Sequence, residues 1–444
     1  MIRTSQKLGH LAVLTIIALI AFTGIYSARG LYSDGSFWLF EILTKQGFYI
    51  FDQQRAYAQY VVEWPVVLAI KSGVMDLNVL IRLHSAGFIL APLFFWLSAL
   101  LVQRSSYVFW LIVLGFSVSY LRSGFFAAGE FNLTNGMVAL CVAITLSRTI
   151  NIFSALALIL TAAILTHSYE SMSFLGLFLV LISVERLVFI KTDSFFTKAV
   201  FAIVAALYFY GSFIAIRSML FERVYSLQST VNLNAFAEFH LAYLLIMCAV
   251  ATCLCLRLSQ RIKVIFVVVG VVLTCIYVVY VLRFDRTGIS YGYFSYAYRS
   301  HGAFMLVGVL SLAWLIPIFE KLQKIQFVKV QKSLLVIVVM CVFFTESGLM
   351  LGHSVGFYRW LKSFESVALT VKGLIPIDKT TINKGEGWVT GYNWPWSNST
   401  LSVLLRGNAT GIVTNASDFT GWETFDPKEI NPYPLTPFLK SGPL

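Results

Sequence analysis

The sequence predicts an all-α, polytopic membrane protein with about eleven transmembrane helices, and three observations predict it. The 444-residue chain is 58% hydrophobic, with a mean hydropathy of +0.79. Only 12% of it is charged, where a soluble domain carries about 25%. Apolar stretches of about 20 residues, the length that crosses a hydrocarbon core of about 30 Å, recur along the chain. The net charge of +12 is not a nucleic-acid signature, because its distribution follows the loops between those stretches.

Taken in order, Arg3 and Lys7 precede the first apolar run, 9–28. Tyr26–Gly30 offers no convincing cleavage site, so this run reads as a retained helix. A long loop, 29–77, follows. In it Ser33-Asp34-Gly35-Ser36 opens a helix predicted over 36–46, with Phe37, Trp38, Phe40 and Leu43 on its apolar side. Asp52 opens a second, predicted over 52–63 and ended by Pro65. Both are expected to lie in the membrane interface.

The remaining spans are expected at 78–102, 106–121, 124–146, 150–167, 171–190, 196–216, 236–256, 263–282, 302–319 and 333–351, with 106–121 short enough for a tilted or partial helix. The transmembrane unit is therefore 1–351, and 352–444 is a separate region of about 90 residues without a further span. That tail is turn-rich at Asn393-Trp394-Pro395-Trp396 and Pro432-Tyr433-Pro434, and alternation in Thr400–Thr414 suggests short strands, a small α+β region. No internal repeat is visible, which argues against an inverted-repeat transporter.

Basic residues set the orientation. With the N-terminus inside, one set of loops holds fourteen basic residues, from Arg3 to Lys332, against Glu185, Asp193 and Glu320. The opposite loop 29–77 holds four basic and five acidic residues, and the tail eight and seven. The N-terminus is thus expected in the cytoplasm and the tail outside. Short cytoplasmic loops and the lack of retention signals favour a bacterial inner membrane, with the tail in the periplasm. All six cysteines lie in apolar spans and read as small buried residues rather than metal ligands or disulfides.

Ionisable residues gather on one side. On this topology His84, His167, His240, His301 and His353 fall at outer ends of spans, with only His10 at the inner face. Glu130, Glu170, Glu238 and Glu346 lie toward the same outer side. Such groups are costly in a bilayer and usually face a wet cavity, so their bias points to an outward-facing polar cavity. Arg283, Arg286 and Arg299, in a loop rich in tyrosines such as Tyr293 and closing on His301, are the best cationic site for a lipid phosphate. An aromatic belt with anchoring charges is the bland reading of that loop. Arg122 and Arg217 are weaker candidates. His167 and Glu170 would share a helix face if the helix continued through them, placing them to position a hydroxyl or to join a divalent metal site.

With Tyr32-Ser33-Asp34-Gly35-Ser36-Phe37-Trp38 beside the first span, paired loop helices, a multi-span body and an outside tail, the chain resembles the GT-C superfamily of integral-membrane glycosyltransferases. The resemblance is architectural over nearly the whole chain and specific in sequence only around Asp34. It implies a transferase that moves a sugar from a polyprenyl-phosphate donor to a hydroxyl acceptor on a lipid, glycan or protein at the outer face, with inversion. Asp34 would be the catalytic base. Glu41 and Arg55 on the loop helices would join His167, Glu170, Arg283, Arg286, Tyr293, Arg299 and His301 in binding substrate. Many family members carry paired acids such as Asp-Glu; here Gly35 follows Asp34, which weighs against metal assistance and leaves a divalent metal open. The competing expectations are a carrier or flippase for a lipid-linked glycan, a glycan ligase or polymerase, and a non-catalytic assembly subunit. No nucleic-acid partner is expected.

Overall fold

The computed structural model describes residues 2–104, 106–126, 129–147, 149–189, 194–222, 239–255, 258–283, 293–323, 329–384, 392–394, 397–406 and 412–414, together with Leu435, Pro437, Phe438 and Leu444. The chain is overwhelmingly helical. Helix α1 (Ile2–Tyr26) leads through a 3-10 turn at Arg29–Leu31 to α2 (Gly35–Lys45). A second 3-10 turn, Gln53–Arg55, feeds α3 (Ala56–Lys71) and then α4 (Leu77–Val102). Helix α5 (Val108–Gly115) widens into a π-helical segment at Phe116–Leu121. The bundle continues with α6 (Glu130–Thr145), α7 (Ile152–Leu165), α8 (Met172–Phe189) and α9 (Phe195–Phe221). It closes with α10 (Phe239–Cys255), α11 (Gln260–Arg283), α12 (Tyr293–Gln323) and α13 (Lys329–Thr370).

A helix stands at each stretch expected to span. Among the described residues six helices are long and apolar enough to cross a membrane, namely those covering Leu8–Tyr26, Leu77–Val102, Phe195–Phe221, Gln260–Leu282, Arg299–Ile316 and Ser333–Thr370. Val108–Leu121, Ile152–Leu165 and Phe239–Cys255 are apolar but shorter. Every residue of α5 and α6 is buried, so these two form the central posts. The outside of the bundle is apolar instead, with Phe22, Phe94, Phe209, Phe213 and Leu282 among its exposed residues. In water such a surface would aggregate; against lipid it costs nothing. Of the six cysteines only Cys141 is fully buried; Cys248, Cys253, Cys255 and Cys341 are half-buried and Cys275 faces this surface, so the expectation of small buried residues holds in full at Cys141 alone.

Three expectations about boundaries are corrected. Pro65 does not end the second loop helix; α3 starts later, at Ala56, and runs through it to Lys71. Proline removes one helical hydrogen bond, and tertiary packing outweighs that loss: Gly87 of α4 lies so close to the Val62 carbonyl that any Cβ there would collide with it. The last span does not stop near 351. Helix α13 has 42 residues, about 63 Å at 1.5 Å per residue. Beyond the hydrocarbon its buried Phe357, Trp360, Leu361, Phe364 and Ala368 keep a helical stripe that packs under the tail. Finally, Thr400–Thr414 is not all strand. Asn398–Arg406 forms helix α14, fully buried, and among the described residues of that stretch only Ile412–Thr414 is extended. This β2 pairs in parallel with β1 (Leu374–Pro376), with Leu374 opposite Ile412. Asn398, a potential glycan acceptor by its sequon, is buried and donates its side-chain amide to Asn393 at 2.9 Å.

Candidate functional site

The site is built at the end of the bundle that carries the loop 29–77. Left-handed backbone at Ala28 (φ 52°) and Ser33 (φ 59°) turns the chain out of α1 and into α2. Each such non-glycine residue costs about 1–2 kcal/mol, and the surroundings hold both in place. The Ser85 hydroxyl accepts Gly30 N–H at 3.1 Å and donates to Ile81 O at 3.0 Å, and a Cβ on Gly30 would approach Ser85 Cα to 2.7 Å. His84 Nε2 meets the Gly35 carbonyl at 3.0 Å. Arg29 is wholly buried and donates to Gly124 O at 2.8 Å and Ser354 Oγ at 3.3 Å, tying α1 to α13; burial lowers its pKa.

Asp34 stands at the N-cap position of α2, yet its side chain makes no cap hydrogen bond. Its Oδ1 instead accepts the indole N–H of Trp394 at 3.2 Å, from a tail segment 360 residues away. The tail is seated there by Ser36, whose hydroxyl donates to Ser397 O at 3.3 Å and lies 3.4 Å from Thr400 Oγ1. Trp394 belongs to an aromatic wall. Its ring lies 6.1 Å from Tyr32 and 6.0 Å from Phe126, and Tyr32 also meets Phe125, Phe357 and Tyr392.

Arg299 is on the same wall. Its guanidinium sits 5.6 Å from the Phe126 ring centroid and 4.8 Å from that of Phe131, at the start of α6. It is electrostatically coupled to Glu130. Glu130 then leads to a buried nest of charge. Arg55 forms ion pairs with Glu170, with Glu130 at 3.3 Å and with Asp52 at 3.8 Å, over the face of Tyr169. Burial alone would lower the pKa of Arg55, but Glu170 and Glu130 more than offset it and hold the group well above its ordinary value. Gln59 donates its amide to Glu130 at 2.9 Å. One turn further along α3, Glu63 accepts Tyr49 N–H at 2.8 Å. Burial pushes the Glu63 carboxyl up to about 8, against the Tyr49 hydrogen bond and with a contribution from Glu130.

The nest is also under-satisfied. Both polar atoms of the Gln54 amide, Oε1 of Gln59, Oε1 of Glu63 and Nε of Arg55 are buried and have no hydrogen-bond partner among the described residues. A buried polar atom left so costs about 1–3 kcal/mol.

The geometry therefore joins four of the residues expected to bind substrate. Arg55 and Glu170 pair directly, His167 presents Nδ1 to Gln53 O at 3.2 Å and its ring to Tyr57, and Arg299 adjoins Glu130. His167 and Glu170 do not share a helix face, because α7 ends at Leu165 and α8 begins at Met172. Both grip the segment 53–58 from the turn between, since the His167 carbonyl also accepts Tyr57 N–H at 3.2 Å. No group of three or more His, Cys, Asp or Glu placed to hold a metal occurs among the described residues.

Glu41 lies farther along α2 in an exposed i,i+4 pair with Lys45 at 3.2 Å. His301 is buried against Phe304, two residues beyond Arg299. Arg283 ends α11 and Tyr293 begins α12, and their side chains lie outside the described set, as does all of Arg286. Arg217 is exposed, whereas Arg122 is coupled to a second polar cluster in which Tyr277 bridges His240, at 2.9 Å, and Glu346. Glu238 lies outside the described residues. His10 stacks on Phe109 at the opposite end of the bundle.

Sequence reasoning missed Trp394, Gln54, Gln59 and Glu63 as site residues. For Arg55, Gln59 and Glu63 the signal was present, since a spacing of four places all three on one helix face. For Trp394 no local signal exists. Comparison with protein-family models, with curated proteins and with solved structures finds no match to this chain.

Proposed function

We propose that the chain is a glycosyltransferase of the GT-C type, moving a sugar from a polyprenyl-phosphate donor to a hydroxyl acceptor on a lipid, glycan or protein. The reaction would take place at the outer, periplasmic face of a bacterial inner membrane. The observation that carries this reading is Asp34: a half-buried carboxylate at a helix start that does not cap its helix and is held instead by Trp394. A carboxylate so placed can accept a proton. In the step envisaged, the acceptor oxygen forms a bond to the anomeric carbon as the bond from that carbon to the phosphate oxygen breaks. The acceptor proton goes to Asp34, and the electron pair leaves on the polyprenyl phosphate. Positioned general bases contribute roughly 10²–10⁴-fold. Arg299, buried beside the same aromatic wall, is the cation best situated to meet phosphate charge as it develops. The excess of basic residues on the opposite loops supports the sidedness.

The test is transfer from a radiolabelled polyprenyl-phosphate sugar by purified protein. Asp34→Asn should lower turnover by about 10²-fold or more while leaving the unfolding temperature unchanged. Wild-type turnover in that variant would remove Asp34 from the mechanism. Movement of the lipid across proteoliposomes without a covalent product would replace the transferase reading with a carrier.

A further inference from the structure

We propose that the polar stripe of α3 formed by Arg55, Gln59 and Glu63, with the adjoining Gln54, is the subsite for the sugar ring of the lipid-linked donor, a neutral polyhydroxylated ligand. This rests on the glycosyl-transfer reading above and adds to it where the transferred group is held.

The argument starts from what the nest leaves unspent. Arg55 is surrounded by Glu170, Glu130 and Asp52, so its charge is already compensated and does not invite a phosphate. Glu130 is in turn engaged by Arg55 and Gln59. Beside these ion pairs the nest holds amide and carboxyl hydrogen-bonding capacity that they do not use. The Gln54 amide offers both a donor and an acceptor, and Oε1 of Gln59 and Oε1 of Glu63 offer acceptors; none has a partner among the described residues. All three side chains are more than nine-tenths buried.

A ligand that fits must bring several hydroxyls, each both donor and acceptor, on a rigid frame. Gln59 and Glu63 are one helical turn apart, about 5–6 Å, comparable to the distance between hydroxyls on opposite edges of a sugar ring. Partnerless buried donors and acceptors persist when something else, ligand or water, meets them in the working state. The stripe also lies on the correct side. It faces Glu130, and through Arg299, Phe126 and Trp394 it shares a wall with Asp34.

The test uses the full-length protein in detergent and native mass spectrometry. The probes are short-chain polyprenyl monophosphates, bare or carrying a hexose, an N-acetylhexosamine or a pentose. At least one glycosylated probe should bind tenfold or more tighter than the bare lipid. Gln54→Met should cut that preference several-fold with bare-lipid affinity and the unfolding temperature unchanged; Gln59→Met should cut it likewise with bare-lipid affinity unchanged, at a lower unfolding temperature because Glu130 loses its amide donor. Equal binding of bare and glycosylated probes by the wild type would overturn the subsite and leave the transferase reading standing. Variants that keep the full preference would do the same and show that the stripe holds water only. Failure to bind any probe, bare lipid included, would overturn the subsite together with the reading beneath it.

Discussion

Asp34 and Asp52 open the two helical segments of one loop, and they use their carboxylates in opposite ways. Asp52 is spent on structure: it accepts Gln54 N–H at 2.9 Å and sits 3.8 Å from Arg55. Asp76, ahead of α4, does the same with Asn78 N–H at 2.8 Å. Asp34 occupies the equivalent position before α2 but leaves the helix uncapped and receives the Trp394 indole. The three residues look alike in sequence. What separates them is the company kept at a distance: a tail segment for Asp34, a neighbouring turn for the others. A residue that gives up the local bond its type favours is a place to look for function, and that is the role proposed above for Asp34.

The largest effect should come from the structural half of the loop. Arg55→Met leaves Glu130 and Glu170 buried without their cation, and breaking such a pair costs about 3–5 kcal/mol. Thermal unfolding in detergent measures it, and an unchanged transition would mean the nest is wetter and looser than described. Next comes the direct comparison of the two aspartates. Asp52→Ala should cost about 1 kcal/mol as a lost cap, and Asp34→Asn, which has no cap to lose and keeps an oxygen for the Trp394 indole, should cost much less. Equal costs would erase the distinction drawn between them.

The last comparison is the pH response of Glu63. Its folded pKa is raised to about 8 from an ordinary 4.5, so the folded state holds a proton that the unfolded state gives up between those values. The stability this contributes is full below about 4.5 and is lost as pH rises to about 8. Glu63→Gln should flatten the stability profile over that window and make the variant the more stable protein at pH 8. A variant that keeps the wild-type slope would assign the slope to other groups.

Much of this was legible beforehand. The apolar stretches marked where helices stand, and the charged residues Arg55, His167, Glu170 and Arg299 were singled out although their partners were unknown. Charge is legible because its burial is expensive, so few arrangements tolerate it. Gln59 and Gln54 escaped notice because a neutral amide on an amphipathic helix looks like a wetted face. Pro65 misled because its local penalty is visible in sequence while the packing of α3 on α4 at Gly87 is not. The extension of α13 was readable in the spacing of Phe357, Trp360, Leu361 and Phe364, but falling hydropathy masked it.

That extension has a consequence of its own. Because α13 is continuous from Lys329 to Thr370, it acts as a ruler standing on the bundle. It fixes the height at which the tail meets α2, and with it the level of Trp394 over Asp34. Each residue added within its upper half would raise the tail by about 1.5 Å and swing it by about 100°, carrying the indole off the carboxylate. Residues added after Thr370 would leave that height untouched.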